Sequence, residues 1–317
     1  MSGLRGKALV AYLLVCVFWG STYLAIKVGV AVLPPLLFAG LRFLTAGMLL
    51  LGGALAFGDA LPRRAAEWRT AAITGVFLLT GGNALVVWAE QYTTSGITSV
   101  FVVTVALWMA FFDALVPGGS GAPTWRVVLG LAAGFFGTAL LVGATPREIL
   151  AADLRGPIAL TLASASWAIG SIYSKRHSTS VSPYMTAAIQ MIVGGTLVTL
   201  IGSVAGEWHV WHLTPRGAAA FAYLVVFGSI LGYSAYAYAL HHAPATIVGT
   251  YAYVNPVIAV ILGAFLLHEP VTTRTFVAIV IILAAVLWIQ FSHVLPLVGR
   301  RHRPPSPSIA AEAETIG

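Results

Sequence analysis

Charge is what this chain has least of. Only 9% of its 317 residues are Asp, Glu, Lys or Arg, against about 25% in soluble domains. Cysteine is nearly absent too: Cys16 stands alone, which excludes an intramolecular disulfide and leaves the redox compartment unreadable. Also missing are the dense clusters a membrane transferase or protease needs. There is no GxSxG, HExxH or DDxxD pattern. The closest groupings, His241–His242 and His268–Glu269, place neighbouring side chains about 100° apart on a helix, so neither pair chelates a metal by itself. No catalytic residue, metal site or cofactor is expected.

What the chain has is apolar length. It is 59% hydrophobic with a mean hydropathy of +0.91, and windows of about 20 apolar residues, enough to cross a bilayer as helix, recur with no soluble domain between them. Ten are read: residues 8–28, 34–57, 69–89, 95–116, 125–144, 157–176, 182–204, 217–240, 245–267 and 273–292. The expected fold class is therefore all-α integral membrane. The run after Arg5 and Lys7 continues past Trp19 to Val30 without a small-residue cleavage pattern, so it reads as a retained first helix rather than a signal peptide. Residues 296–317, rich in Pro, Ser and Ala, have no face to bury and read as a disordered cytoplasmic tail.

The net charge of +7 would point to nucleic acid in a soluble protein. Here its placement matters more. With a cytoplasmic N-terminus, the inside segments hold Arg5, Lys7, Arg63, Arg64, Arg69, Arg126, Lys175, Arg176, Arg300, Arg301 and Arg303, and the outside ones Lys27, Arg147, Arg155, Arg216 and Arg274. Eleven against five places both termini inside and requires an even helix count. No nucleic-acid partner is implied.

Self-comparison is the most informative step. A shift of 148 superposes Trp19 on Trp167, Lys27 on Lys175, Pro35 on Pro183, Arg42 on Gln190 and Gly47 on Gly195, and a shift of 150 superposes Gly82 on Gly232, Ala89 on Ala239 and Ile97 on Ile247. The chain reads as a duplicated five-helix unit, residues 8–144 and 156–292. Because five is odd, the second copy enters the membrane upside down, as in secondary transporters built on inverted repeats.

"FWGSTYLAIKVGVAVLPPLLFAGLRFLTAGMLLL", "GGNALVVWAEQYTTSGITSVFVVTVALW" and "TYAYVNPVIAVILGAFLLHEPV", in order and over about residues 8 to 290, resemble the paired EamA domains of the drug/metabolite transporter superfamily, close to its bacterial inner-membrane exporters. The resemblance implies two inverted five-helix repeats, inward termini, and export of small metabolites or amino acids, often driven by proton exchange. One departure stands out. Pro256 and Glu269 of the second half correspond to Ala106 and Gly119 in the first, so a mechanism that needs symmetric acidic groups is in doubt.

Candidate site residues follow from polarity at membrane depth. Arg42 is a lone cation in an apolar run, costing roughly 2.5–3.5 kcal/mol to insert. It either tethers helix ends and snorkels outward or faces a cavity and attracts an anionic substrate group. Glu90, at the end of the third helix, is its expected ion-pair partner and the candidate proton-coupling group. Asn83 and Glu90 are seven apart and share a helix face. Asn255 precedes Pro256, which frees the carbonyl of Ala252, tolerable only beside protein or water. With Gln190 and the aromatics Trp19, Trp108, Trp167, Tyr233 and Tyr253, these are the candidate substrate-binding residues; lipid anchoring or packing is the alternative for each aromatic. Two readings remain open, a secondary active exporter and an uncoupled facilitator or channel for small metabolites. Both imply a small-molecule substrate and a multi-pass protein of the cell membrane, and neither fixes a monomer or homodimer.

Overall fold

The computed structural model describes residues 4, 6–93, 95–117, 122–143, 153–177, 179–267 and 272–292. The tail, His268, Glu269 and most of the 117–123 loop lie outside the described residues. The rest forms ten helical rods in chain order: α1 (Lys7–Val30), α2 (Pro35–Ala56), α3 (Ala65–Ala89), α4 (95–115), α5 (Trp125–Val142), α6 (Arg155–Arg176), α7 (Pro183–Val204), α8 (Pro215–His242), α9 (245–267) and α10 (Thr273–Ser292). Eight of these rods are long and apolar enough to cross a membrane; α10 is apolar over the shorter stretch Thr273–Ile289, and α6 carries cations at both ends. Leu13, Leu24, Leu49, Phe136, Leu162, Leu200 and Phe276 are exposed. Such broad apolar exposure suits a surface bathed in hydrocarbon rather than water.

Cross-links fix the two ends of the bundle. Arg155 sits over the Tyr92 ring at 4.2 Å, and Glu207 accepts the N–H groups of Leu36 at 3.2 Å and Leu37 at 2.7 Å. The Lys27 end therefore gathers the start of α2, the end of α3, the start of α6 and the end of α7. At the opposite, Lys175 end, Asp59 accepts from Ser182 at 2.5 Å, Glu67 from the Ser180 N–H at 2.9 Å, and Arg176 donates to the Pro117 carbonyl at 2.8 Å. Two of these carboxylates serve the starts of α2 and α7, where exposed N–H groups favour negative charge. Each comes from the link that follows the other helix.

The same exchange runs through the core. Helices α2 and α7 cross in opposite directions, with Gly47 against Ile192 and the Ala188 carbonyl, and Gly195 against Leu44 and the Gly40 carbonyl. Subtracting 148 converts one set into the other, so the contact is self-complementary, as at a two-fold interface between identical subunits. A Cβ at either glycine would collide with backbone, so the close approach depends on both being glycine. Likewise Gly82 lies under Trp167 and Gly232 under Trp19.

Helices α3 and α8 share an irregularity that the residue pattern does not announce. Each is π-helical through its middle, over Val76–Ala84 and Leu224–Tyr233. Helix α4 is interrupted at Thr104 and α9 at Thr250, and Pro256 lies inside α9.

Candidate functional site

A cavity of about 720 Å³ lies in the half of the bundle nearer Lys27. Helix α1 brings Trp19, Thr22, Tyr23 and Ile26 to it, spaced so that they share one face; α2 brings Arg42 and Phe43, α3 brings Asn83 and Val86, and α6 brings Ser164 and Trp167. Helix α9 contributes Tyr251 and Asn255, four apart on one face. Turned so that its amide nitrogen faces them, Asn255 donates to the carbonyls of Tyr251 at 3.1 Å and Cys16 at 3.3 Å.

Arg42 is 3% exposed. It donates to Asn83 Oδ1 at 2.9 Å, lies 4.1 Å from the centre of the Phe43 ring, and leaves its Nε without a partner. The expected ion pair with Glu90 is not formed. Asn83 and Glu90 are seven residues apart, about 10 Å along a helix, so an arginine bonded to the first cannot reach the second. Glu90 is buried at 1% exposure, has no hydrogen-bond partner on either oxygen, and feels the charge of Lys27 across a gap longer than an ion pair. Among the described residues the ion pairs are Arg155–Asp153 and Arg176–Asp113.

Aromatic rings close the cavity toward the Lys175 end. Trp19 meets Trp167 edge-on at 5.4 Å, Tyr236 at 5.1 Å and Tyr251 at 5.0 Å. Trp167 donates to the Tyr236 hydroxyl at 3.0 Å, and Trp19 donates to the Gly228 carbonyl at 2.9 Å. Beneath them Tyr233 donates to Gln190 Oε1 at 2.8 Å, and the hydroxyls of Tyr12 and Thr250 are paired at 2.8 Å.

Of the sequence candidates, Trp19, Arg42, Asn83, Trp167, Tyr233 and Asn255 line this cavity. Three others do not. Trp108 stacks on Phe112 at 5.6 Å, a turn beyond the lining residue Val105 and below the aromatic floor. Tyr253 is two residues from both Tyr251 and Asn255 and so points to the other side of α9, where it donates to the Leu131 carbonyl at 3.0 Å. Gln190 lines a second cavity at the Lys175 end. Glu90, the coupling candidate, is also outside the lining. Tyr23 and Ser164 were missed, although Tyr23 is four residues from Trp19 and Ser164 three from Trp167, spacings that put them on the cavity faces.

Two related helical bundles enclosing a buried, partly polar cavity define a multi-pass membrane transporter. The EamA-like transporter family matches residues 6–143 and 154–291, and the chain belongs to that family; it is not an enzyme. It is 36% identical to the uncharacterized inner membrane transporter YedA of Escherichia coli K12 over 93% of this chain and 92% of that one. It is 27% identical to the uncharacterized transporter YvbV of Bacillus subtilis, over 89% and 90%. A solved crystal structure with 20% identity matches at a TM-score of 0.75 over 91% of this chain and 98% of its own, and that likeness speaks for the fold alone.

Proposed function

We propose that the protein is a proton-coupled secondary transporter exporting small carboxylate-bearing metabolites, amino acids among them, by alternating access between two inverted halves with both termini cytoplasmic. One observation carries the reading: Arg42 is buried at the cavity with a single neutral side-chain acceptor. A guanidinium presents five donors in a fork that matches a carboxylate two-to-two, and a solute carboxylate in the cavity would meet the donors that Asn83 leaves free. The walls of Trp19, Trp167 and Tyr251 suit an apolar or aromatic side chain. The orientation rests on cations: Lys7, Arg63, Arg64, Arg69, Arg126, Lys175 and Arg176 belong to one end and Lys27, Arg155, Arg216 and Arg274 to the other, so the Lys175 end is the cytoplasmic one. Glu90, buried and unpartnered at the outer end, carries the exchanging proton.

The test uses inside-out vesicles containing the purified chain and a panel of radiolabelled amino acids and other carboxylates. An imposed pH gradient should drive accumulation against the solute gradient, and a protonophore should abolish it. Accumulation of amines but not carboxylates would sink the substrate assignment. Glu90 does not line the cavity, which favours a second reading, an uncoupled facilitator. That reading predicts equilibration at the same rate with and without the pH gradient.

A further inference from the structure

The hydrogen bond between Arg42 and Asn83 has a counterpart in the other half. By the repeat shifts, Arg42 corresponds to Gln190 and Asn83 to Tyr233, and Tyr233 is hydrogen-bonded to Gln190 at 2.8 Å just as Arg42 is to Asn83 at 2.9 Å. One bond faces the central cavity. The other is shut under the aromatic floor, with Tyr233 1% and Gln190 2% exposed. Behind it lies the second cavity, about 460 Å³, lined by Ser174, Lys175, His177, Thr186, Gln190 and His241 among others. Tyr233 borders the first cavity and Gln190 the second, so this bond, with the aromatic floor above it, lies between them. The second cavity also repeats part of the first: Ser174 corresponds to Ile26 and Gln190 to Arg42, both of which line the central cavity.

We infer that the second cavity is the opposite mouth of the same transport path, built to receive the anionic end of the solute, and that the Tyr233–Gln190 bond is the latch that closes it in this state. The described lining of this mouth has Lys175, His177 and His241 but no carboxylate. The Lys175 ammonium is anchored by the carbonyls of Leu240 at 2.8 Å and His241 at 3.1 Å, neutral acceptors that occupy two of its three donors. The carboxylates around this mouth are engaged elsewhere: Asp113 pairs with Arg176 at 3.5 Å, Glu67 accepts from the Ser180 N–H at 2.9 Å and from its hydroxyl at 2.6 Å, and Asp59 accepts from Ser182 at 2.5 Å. A solute carboxylate in this cavity has the Lys175 ammonium and the hydroxyls of Ser174, Thr179 and Thr186 in its wall, with Gln190 of the latch beside them. The choice of an anion rests on the substrate class proposed above; the latch rests on geometry alone.

The experiment uses the single native cysteine to advantage. In the full-length Cys16→Ala chain, one cysteine is placed at Val86, in the central cavity, or at Thr186, in the second. Vesicles of both orientations are treated with anionic sulfonatoethyl or cationic trimethylammonioethyl methanethiosulfonate. Thr186→Cys should react from the Lys175 face with an anionic-to-cationic rate ratio above that of a free thiol in solution; a ratio at or below the free-thiol value overturns the anion-receiving mouth. Val86→Cys should react from the Lys27 face. Adding Tyr233→Phe should raise its labelling from the Lys175 face about fivefold, the population shift expected for losing one buried hydrogen bond. Gln190→Leu breaks the same bond from the other side and should act alike, so a folding defect in one variant does not decide the matter. Unchanged labelling of Val86→Cys with both latch variants overturns the latch. Labelling needs no solute: immobile carboxylates in the transport assay alongside the expected labelling pattern would sink the substrate class and leave the latch standing.

Discussion

The two halves of this protein share a skeleton and differ in what hangs on it. In the first half the α2–α3 bond is made by a cation, Arg42, with the exposed side of the pair turned to the cavity; in the second the equivalent α7–α8 bond joins two neutral groups, Gln190 and Tyr233, and is buried. Glu90 corresponds to Leu240, so the buried acid also belongs to the first half alone. The indoles diverge as well: Trp19 donates to a backbone carbonyl and Trp167 to a tyrosine hydroxyl. Duplication therefore supplied the geometry twice, while charge was placed once. A machine that must rock between two states needs the first kind of likeness, and one that moves a charged solute in one direction has use for the second kind of difference.

That comparison can be broken at its strongest point first. Arg42→Gln makes the first half resemble the second, and should weaken transport of carboxylate-bearing solutes by roughly thirtyfold, the equivalent of about 2 kcal/mol for a charge-assisted bond, with folded yield close to native; initial rates across a concentration series give the number. Loss of folded protein instead would make Arg42 a tether between helices. Glu90→Gln should next remove the stimulation by a pH gradient while leaving solute-for-solute exchange running, measured by counterflow, and persistence of gradient-driven accumulation would take the proton away from Glu90. Gly47→Val and Gly195→Val should each cost about 2 kcal/mol by overpacking the α2–α7 crossing, and by near-equal amounts because their surroundings are equivalent; unequal denaturation midpoints would show that the crossing is less symmetric than its contacts. Smallest are Trp19→Phe and Trp167→Phe, each losing one indole hydrogen bond worth about 1 kcal/mol. Thermal melts of the two should coincide, whereas substrate protection against melting should fall more for whichever ring touches the solute.

Much of this was legible in the residues because helices that repeat a function repeat their large and small side chains. Trp19 with Trp167 and Gly82 with Gly232 gave the register, and the structure explains why the shift changes from 148 to 150: the link from α2 to α3 spans residues 57–64 and the link from α7 to α8 spans 205–214, two residues longer. The longer link carries Glu207, the carboxylate that holds the start of α2. Its role was hidden because a loop acid reads as solvated until the helix it caps is brought to it from 170 residues away. Arg42 was picked out by cost, but its partner was misjudged. A charge argument favours the acid, and only the axial rise of α3 shows that Asn83 lies level with Arg42 while Glu90 lies beyond reach. Tyr253 was misplaced by a similar step, since counting aromatics ignores that residues two apart on a helix face away from each other.

The π-helical stretches of α3 and α8 carry one further consequence. A π turn holds a surplus residue within an otherwise continuous hydrogen-bond ladder, and such a surplus can be handed along a rod one position at a time without leaving backbone groups bare in hydrocarbon. Asn83 and Tyr233 both ride inside these stretches. Passing the surplus past either residue would swivel it by a fraction of a turn while the ends of the rod stay put, carrying it away from Arg42 or Gln190. If the two π-helical stretches act as swivels for these polar partners, amide exchange in α3 and α8 should be fastest over Val76–Ala84 and Leu224–Tyr233; uniform protection along both rods would mean that they are fixed joints.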